Sequence, residues 1–536
     1  MGHAPRLIAL AAAYGAMIGS PAAASNGYSF LDAGASRLDY SRADVAPAIP
    51  CKALMRAFTA DLTIASAVDV PATGTVPAYC RVRGVITPEI QFEVRLPTRW
   101  NRRIYMTGNG GYGGQPVDTF YAQYRDTAIR HGFATAATNT GHDARAEPDA
   151  TFAARNLQKK IDWAYRATHL TAEASKQLVR MYFDRAHSFA YLDGCSNGGR
   201  QGLISAQRFP QDFDGIVAGA PLLNFTETSI SYLWTSRALA QTPIPAPKMP
   251  MIAAAVLRRC DAKDGVRDGL IADPRACNFD PARDLPRCSG DAGGACVTAA
   301  ELVTLQKIRS GPPANGRPYV HGVLPGAEPD GVIYLPPNDI KTGWFEWVSD
   351  PRGPMFYQGQ LAEQFLKYMA YPVQDPQARA DAFDFTSDPA RMTEGRQMVD
   401  ALDPDLGDFA RRGGKLLMYH GWADLGTNPL HTIDYFNAAT ARGGGPAGSD
   451  SVRLFLLPGM FHCFGGYGPD RMDAMTAIIN WVEAGQAPDA IVAGKTERRE
   501  GGRLLRTRPV CAYPKIARYR GSGSMDAATS FTCAKT

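Results

Sequence analysis

The chain has 536 residues, of which 45% are hydrophobic and 20% are charged, with 57 Lys and Arg against 52 Asp and Glu. A chain of this length and composition can bury a large core, which excludes an intrinsically disordered protein and a small disulfide-stabilised domain. The formal net charge of +5 is spread thinly along the sequence, so we predict no nucleic-acid partner.

The first 24 residues predict a secretory signal peptide. They contain no acidic residue, carry Arg6, run apolar from Leu7 to Ile18 and end in the small residues 22–24. The apolar run is too short and too rich in alanine to span a bilayer stably, although an N-terminal anchor is the alternative. Later segments include no apolar stretch of membrane length. We therefore expect the mature protein to be secreted or periplasmic and to have no membrane partner.

An even number of cysteines, ten, favours disulfides in an oxidising compartment. Nearness along the chain pairs Cys51 with Cys80, Cys260 with Cys277, Cys288 with Cys296 and Cys511 with Cys533, which leaves Cys195 and Cys463. Nearness alone does not determine the connectivity. Zinc binding is the alternative, but the sequence has neither a CxxC pair nor clustered histidines to support it.

Strand-like and helix-like segments alternate between about residues 90 and 220, which predicts an α/β fold. Strands are expected at Phe92–Leu96, Ile104–Met106, Phe133–Ala137 and Ser188–Leu192, and helices at Ala164–Tyr182 and Gly202–Phe209. Residues 223–402 are rich in Pro, Gly, Asp and aromatic residues and lose this alternation, which predicts an inserted lid domain. Strand-like runs resume at Lys415–Tyr419 and Val452–Leu457, so residues 25–222 and 403–536 should form the catalytic domain.

A candidate nucleophile lies in the segment Gly194–Gly198, which fits the pattern G-x-S-x-G. A predicted strand precedes this segment and a predicted helix follows it, as the motif requires. The glycines on either side permit the sharp turn that exposes a serine hydroxyl above a sheet. We therefore predict that Ser196 is the nucleophile of a hydrolase.

A serine nucleophile needs a histidine base and a carboxylate that orients it. In hydrolases with this nucleophile turn, the acid and then the histidine follow the late strands. Asp424 and His462 stand in that order after the two predicted strands, so we predict them as acid and base. His420 is the alternative base, and Asp434, in a predicted helix from about His431, is the weaker alternative acid.

The two cysteines left over stand beside two of these residues. Cys195 immediately precedes Ser196, and Cys463 immediately follows His462. If the two cysteine side chains meet in the fold, a disulfide between them is geometrically natural and would hold nucleophile and base in register. The alternative is a pair of buried free thiols.

Three segments together resemble the tannase and feruloyl esterase family, which includes MHETase: Gly194–Gly202, Tyr419–Asp424 and Pro458–Cys463. The resemblance implies an α/β-hydrolase core with a large lid inserted after the nucleophile. It also implies a serine triad linked by the Cys195–Cys463 disulfide. The substrates that it implies are small esters of aromatic acids.

The oxyanion of the reaction would be stabilised by two backbone N–H groups. One is expected from Asn197, the residue after the nucleophile, and the other from Gly110 or Gly111 in the glycine-rich loop Gly108–Gly114. That loop lacks the Lys-Ser/Thr ending of a phosphate-binding loop.

The segment 260–271 has three carboxylates within eight residues, interrupted by glycine. It resembles the calcium loop of the family, which implies a structural Ca²⁺ bound by the side chains of Asp261, Asp264 and Asp268 and the carbonyls of Val266 and Leu270. An ordinary acidic turn is the alternative, and Lys263 and Arg267 in the same loop favour it. No organic cofactor is expected.

The predicted reaction is ester hydrolysis through an acyl-enzyme, with feruloyl or galloyl esters as the first candidates. A terephthalate monoester is the alternative substrate and would require a lid cation such as Lys367 or Arg352. An acyltransferase and a non-catalytic binding protein are further hypotheses. The lid aromatic residues would form a flat substrate slot or pack a core: Trp344, Phe345, Trp347, Phe356, Tyr357, Phe365 and Tyr368. The sequence does not predict the oligomeric state.

Overall fold

The computed structural model describes residues 29–57, 59–118, 122–289, 295–314, 317–318, 320–335, 338–344, 356–442, 450–497 and 502–535. The predicted signal peptide therefore lies outside the described residues. So do Phe345, Trp347 and Arg352 of the predicted lid, and only the backbone of Phe356 is described.

Seventeen strands are assigned among the described residues. They are β1 Leu62–Val70, β2 Tyr79–Ile86, β3 Ile90–Pro97, β4 Arg103–Thr107, β5 Ala134–Thr138, β6 Phe189–Cys195, β7 Gly215–Gly219, β8 Pro313–Ala314, β9 Arg317–Pro318, β10 Gly331–Leu335, β11 Asn338–Thr342, β12 Lys415–Gly421, β13 Val452–Leu457, β14 Ala490–Thr496, β15 Leu504–Cys511, β16 Lys515–Tyr519 and β17 Phe531–Lys535.

Nine of these strands form one central sheet, in the order β1-β2-β3-β5-β4-β6-β7-β12-β13. Strands β1, β2, β3 and β5 pair antiparallel, and the pairs from β5 through β4 to β13 are all parallel. The carboxyl ends of β6, β12 and β13 therefore point to the same edge of the sheet, and the segments after them carry Ser196, Asp424 and His462.

Helices are distributed around this sheet and through the insertion. They are α1 Ala122–Arg130, α2 Leu157–Ile161, α3 Ala167–Phe183, α4 Asn197–Arg208, α5 Phe225–Gln241, α6 Met249–Cys260, α7 Pro281–Asp284, α8 Ala299–Ser310, α9 Phe356–Tyr368, α10 Gly407–Arg411, α11 Pro429–Arg442 and α12 Ala474–Ala484.

Both faces of the sheet are buried, as the pattern of β12 illustrates. Leu416 and Met418 join a core that includes α3, α4 and α11, whereas Leu417 and Tyr419 join a core on the opposite face that includes α12. Successive side chains of a strand point to opposite faces, so a strand covered on both sides is apolar throughout. Helices on both faces of a mostly parallel sheet confirm the predicted α/β class.

The insertion contributes a third core, built from α5, α6, α8, α9 and their connections. This core also contains Tyr112 of the glycine-rich loop, Ala423 beside the predicted acid, and Phe461 beside the predicted base. The insertion therefore packs directly on the loops that carry the candidate site. No strand of the central sheet comes from the described part of 223–402, but the domain boundaries themselves stay predictions.

All ten cysteines are paired. The four short-range disulfides are those that nearness along the chain predicts, and Cys195 and Cys463 form the fifth. Towards the carboxyl terminus the chain forms two small hairpins, β14–β15 and β16–β17. A disulfide joins Cys511 of the first hairpin to Cys533 of the second.

Two predicted helices begin elsewhere in the structure. The helix expected from Ala164 is preceded by a wide turn at 162–166 and runs regularly only from Ala167. Helix α4 begins at Asn197 instead of Gly202. Its first turn contains Gly198 and Gly199, which predict a loop by propensity, but a Cβ on Gly199 would lie 2.6 Å from the oxygen of Gly219. Close packing of this turn on the sheet overrides the low helix propensity of glycine.

Candidate active site

Ser196 occupies the tight turn between β6 and α4. Its backbone has φ 62° and ψ −123°, a conformation that residues other than glycine rarely adopt. The turn brings Gly194 against Gly198, where a Cβ on Gly194 would lie 2.4 Å from the carbonyl carbon of Gly198. The glycines of the G-x-S-x-G segment are thus required by close backbone approach, and the strained turn places the serine, which is 5% exposed, at the edge of the sheet.

The disulfide Cys195–Cys463 brings the two ends of the site together. The Cα atoms of its cysteines are 5.9 Å apart, although 268 positions separate them along the chain. Because Ser196 and His462 are the direct neighbours of these cysteines, the backbones that carry them are held side by side.

Asp424 and His462 form a direct hydrogen bond, with 2.8 Å between Nδ1 of the imidazole and Oδ2 of the carboxylate. The other carboxylate oxygen accepts hydrogen bonds from the backbone N–H groups of Gly426, at 2.6 Å, and Thr427, at 2.9 Å. Burial alone would raise the pKa of Asp424, but the neighbouring His462 and His420 hold that pKa well below its ordinary value. The carboxylate is therefore ionised and positioned to orient the imidazole of His462.

His420, the alternative base, also contacts the carboxylate, with Nε2 3.2 Å from Oδ2 of Asp424. Its Nδ1 hydrogen-bonds the hydroxyl of Thr432 at 2.8 Å, and the ring is completely buried. Because both ring nitrogens of His420 contact protein groups, the ring helps to position Asp424 and cannot contact a substrate. Asp434, the alternative acid, lies on α11 and pairs with His321 at 2.6 Å, away from His462.

Gly426 packs against the imidazole of His462, a contact that the sequence analysis does not predict. A Cβ on Gly426 would lie 2.7 Å from Cγ of the ring. The position tolerates only glycine without displacement of the imidazole. Gly426 is one of 53 glycines in the chain, and its place two residues after Asp424 is the one sequence signal that distinguishes it.

The glycine-rich loop after β4 packs on the first turn of α4. A Cβ on Gly108 would lie 2.6 Å from Cα of Gly198, and Asn109 donates its N–H to the side-chain oxygen of Gln201 at 2.8 Å. The N–H groups in the first turn of a helix lack partners within the helix. The loop that contains Gly110 and Gly111 thus lies against the helix start that carries the N–H of Asn197.

Arg200 anchors the side chain next to the nucleophile, a role that the sequence analysis does not predict. It is fully buried, donates from Nε to Oδ1 of Asn197 at 2.7 Å and lies 4.2 Å from the ring of Trp163. Burial lowers the pKa of Arg200 to about 9, which leaves it a cation near neutral pH. Arg200 therefore fixes the start of α4 from within the core.

Removal of the Cys195–Cys463 disulfide is expected to impair stability and activity together. Closure of a 268-residue loop corresponds to about 5.6 kcal/mol of folding free energy in the chain-entropy model, so Cys195→Ser with Cys463→Ser should lose most of that. Because Ser196 and His462 also lose their link, kcat should fall at least about 10-fold. Urea unfolding and ester hydrolysis rates measure the two effects.

Cys511→Ser with Cys533→Ser is the matched control. It opens a 22-residue loop, expected to cost about 3 kcal/mol, and has no contact with the triad. Equal kcat values for both double variants would contradict the catalytic part of this prediction.

The predicted calcium loop is compact, and its carboxylates bind mainly within the protein. Asp261 accepts from the N–H groups of Asp268 and Gly269, Asp264 accepts from Val266 at 3.2 Å, and Asp268 pairs with Arg508. In the part of the chain that the structure describes, no three His, Cys, Asp or Glu side chains form a metal-binding group. Burial and the nearby carboxylates raise the pKa of Asp264 to about 6. Asp268 is already neutralised by Arg508, and the calcium site stays a prediction.

The described lid aromatics divide between the core and partly exposed positions. Trp344 and Phe365 are fully buried in the core of the insertion, which supports the packing role for these two. Tyr357 and Tyr368 are half-buried. Lys367, a candidate lid cation, pairs with Glu363 at 2.7 Å.

Comparisons with known proteins assign this arrangement to a family. The family model described as tannase and feruloyl esterase matches residues 72–534. The chain belongs to the tannase and feruloyl esterase family. It is 37% identical to an uncharacterized esterase of Xanthomonas campestris over 90% of this chain and 91% of that protein. As a member of the tannase and feruloyl esterase family, the protein is a carboxylic ester hydrolase with an α/β-hydrolase fold.

Two further relatives within the tannase and feruloyl esterase family have names that specify a substrate. The chain is 34% identical to the mono(2-hydroxyethyl) terephthalate hydrolase of Piscinibacter sakaiensis, over 87% of this chain and 86% of that one. The crystal structure of feruloyl esterase B from Aspergillus oryzae superposes with a TM-score of 0.75 at 27% identity, covering 90% of this chain and 99% of that one. Among the described residues, no helix is both long and apolar enough to cross a membrane.

Proposed function

We propose that the protein hydrolyses small esters of aromatic carboxylic acids, with Ser196 as nucleophile, His462 as general base and Asp424 as the acid that orients it. The observation that carries this proposal is the Asp424–His462 hydrogen bond. This pair lies beside the strained turn of Ser196, and the Cys195–Cys463 disulfide joins that turn to the loop that carries His462. A binding protein with no chemistry would not require this combination.

The chemistry begins with proton transfer from the Ser196 hydroxyl to Nε2 of His462 as the serine oxygen attacks the ester carbonyl. The N–H groups of Asn197 and of Gly110 or Gly111 stabilise the negative oxygen of the tetrahedral intermediate. The imidazolium returns its proton to the leaving alcohol. Water then attacks the acyl-enzyme with His462 again as base, which releases the acid and restores the serine.

Feruloyl and galloyl esters remain the preferred substrates, and terephthalate monoesters are the second candidate. A terephthalate monoester has a free carboxylate that calls for a cation in the lid. The ion pair of Lys367 with Glu363 argues against Lys367 as that cation, whereas Arg352 lies outside the described residues. The relative that is named as a terephthalate monoester hydrolase keeps this alternative open to test.

The test is the hydrolysis rate of the purified protein on methyl ferulate, methyl gallate and mono(2-hydroxyethyl) terephthalate. Release of the free acid from one ester, with a fluorophosphonate adduct mapped to Ser196, is the expected result. An adduct on a different residue would contradict the triad. Preferential formation of a new ester when an alcohol is added would identify an acyltransferase instead.

A second proposal concerns the loop 260–271, which we propose binds a structural Ca²⁺ through Asp261, Asp264, Asp268 and the carbonyls of Val266 and Leu270. Removal of calcium by EGTA should then lower the melting temperature, since a ligand at a hundred times its Kd stabilises a protein by about 3 kcal/mol. Asp264→Asn should abolish this calcium dependence. Asp381→Asn, in an exposed ion pair with Arg379, is the control that should preserve it. A melting temperature indifferent to EGTA would refute the site.

We also propose that the protein is exported. Five disulfides support an oxidising compartment, because thiols in the cytosol are kept reduced. The predicted signal peptide of residues 1–24 provides the route. Mass spectrometry of the mature protein should find an N-terminus at Ser25.

A further inference from the structure

Tyr232, on the first helix of the insertion, reaches the turn that carries the predicted acid. Its hydroxyl donates a hydrogen bond to the carbonyl oxygen of Gly426, 194 positions further along the chain. Tyr232 is 7% exposed, so little water competes for this bond. Burial and the charge of Asp424 raise the pKa of Tyr232 far above its ordinary value. The hydroxyl therefore keeps its proton and remains a donor throughout the working pH range.

The backbone of Gly426 makes contacts on three sides. Its N–H donates to Oδ1 of Asp424 at 2.6 Å, and its carbonyl accepts from Tyr232. Its Cα lies under the imidazole of His462, as the 2.7 Å approach of an added Cβ demonstrates. A displacement of the Gly426 backbone would disturb both partners of the Asp424–His462 hydrogen bond.

The turn 424–428 is not held by packing on all sides, because it borders a partly open cavity of about 40 Å³. Atoms that face a void lose dispersion contacts there, so hydrogen bonds have to fix the turn. Several such bonds join it to other segments, among them Tyr232 to Gly426, the Thr427 hydroxyl to the carbonyl of Ala220 at 3.2 Å, and the Asn428 side chain to the carbonyl of Gly322 at 3.0 Å. The Tyr232 bond is the one made to Gly426, the residue that packs on His462.

We infer that Tyr232 is a positioning residue: through the Gly426 peptide it holds the Asp424–His462 pair in the geometry that proton transfer needs. The inference rests on the proposed function. It gives the insertion a part in catalysis besides covering the site, since α5 supplies the donor that sets the base.

The test compares Tyr232→Phe with a matched control in the full-length, disulfide-bonded protein. Tyr232→Phe removes one oxygen and leaves the ring packing intact. We expect kcat to fall about 10- to 100-fold with KM changed less than about 2-fold, because a misaligned base slows chemistry without weakening substrate binding. Tyr435→Phe is the control, since Tyr435 is equally buried and donates to the carbonyl of Asp403. The control should retain the wild-type kcat.

A spectroscopic readout separates positioning from a general loss of stability. The proton shared by His462 and Asp424 should give a downfield NMR resonance, assigned by its disappearance in His462→Ala. We expect this resonance to shift or broaden in Tyr232→Phe and to stay unchanged in Tyr435→Phe. A wild-type kcat together with an unchanged resonance in Tyr232→Phe would overturn the inference.

Failure of the proposed function leaves the inference testable. If the wild-type protein hydrolyses no ester, the resonance alone decides the role of Tyr232. Should Tyr232→Phe not fold, Gly426→Ala displaces the same peptide with Tyr232 present, and it should alter the resonance in the same way. Where Tyr232→Phe does fold, its combination with Gly426→Ala should lose no more kcat than Gly426→Ala alone, because both changes act on one contact. Additive losses would contradict a shared pathway.

Discussion

Replacement of Ser196 by Ala is expected to reduce kcat for ester hydrolysis by about 10⁶-fold, the loss that follows removal of the nucleophile from a serine triad. Ser196 is 5% exposed and contributes one hydroxyl to a turn whose shape is set by its glycine neighbours. The variant should therefore fold normally and bind substrate with a similar KM. Stopped assays with high enzyme concentration, and intact-protein mass spectrometry for the acyl-enzyme, measure the loss.

Ser205→Ala is the matched control for this variant. Ser205 lies on the same helix α4, is equally buried, and its hydroxyl donates to the carbonyl of Gln201 at 2.9 Å. Its loss should change kcat less than about 2-fold. Comparable losses in both variants would indicate that the helix, and not the hydroxyl of Ser196, determines activity.

Asp424→Asn should lower kcat by about 10⁴-fold with the fold preserved. The carboxylate accepts four hydrogen bonds, from the N–H groups of Gly426 and Thr427, the hydroxyl of Thr427 and the imidazole of His462. An amide has a donor where one of these oxygens accepts, so it faces either the backbone N–H groups or the ring with the wrong polarity. The favoured outcome is a His462 tautomer that cannot take the serine proton.

The matched control for Asp424→Asn is Asp434→Asn, which also tests the alternative acid. Asp434 pairs with His321 near the surface, so its neutralisation should leave kcat within about 2-fold of wild type. A large loss in Asp434→Asn, with Asp424→Asn active, would reverse the assignment.

The depressed pKa of Asp424 predicts that its carboxylate stays ionised as the pH falls below the range in which an ordinary aspartate protonates.

The parts of the fold that the sequence predicts are those with a local signal. Strands β3, β4, β5, β6, β12 and β13 all overlap the predicted segments. Glycines on both sides of Ser196 predict a tight turn. The order of Asp424 and His462 after two strands is the one expected for hydrolases with this nucleophile turn. Cysteine spacing predicts four disulfides because short loops close most readily.

The remaining features depend on contacts between distant segments, which leave no local pattern. Tyr232 is one of 22 tyrosines, and only the packing of α5 on the acid turn gives it a role. The bond from Arg200 to Asn197 is local, but its importance comes from burial against Trp163. The sequence does not predict β1, because half-exposed antiparallel strands carry a weaker apolar signal than the central parallel ones.

The disulfide between Cys195 and Cys463 closes a covalent ring that includes the whole insertion and the acid turn. A single cut of the backbone inside this ring, for example by a protease at an exposed loop, would produce two polypeptides that remain one molecule. Nucleophile and base would stay joined after such a cut. The same linkage makes the site tolerant of a backbone break in the insertion, since such damage does not separate the two halves of the site.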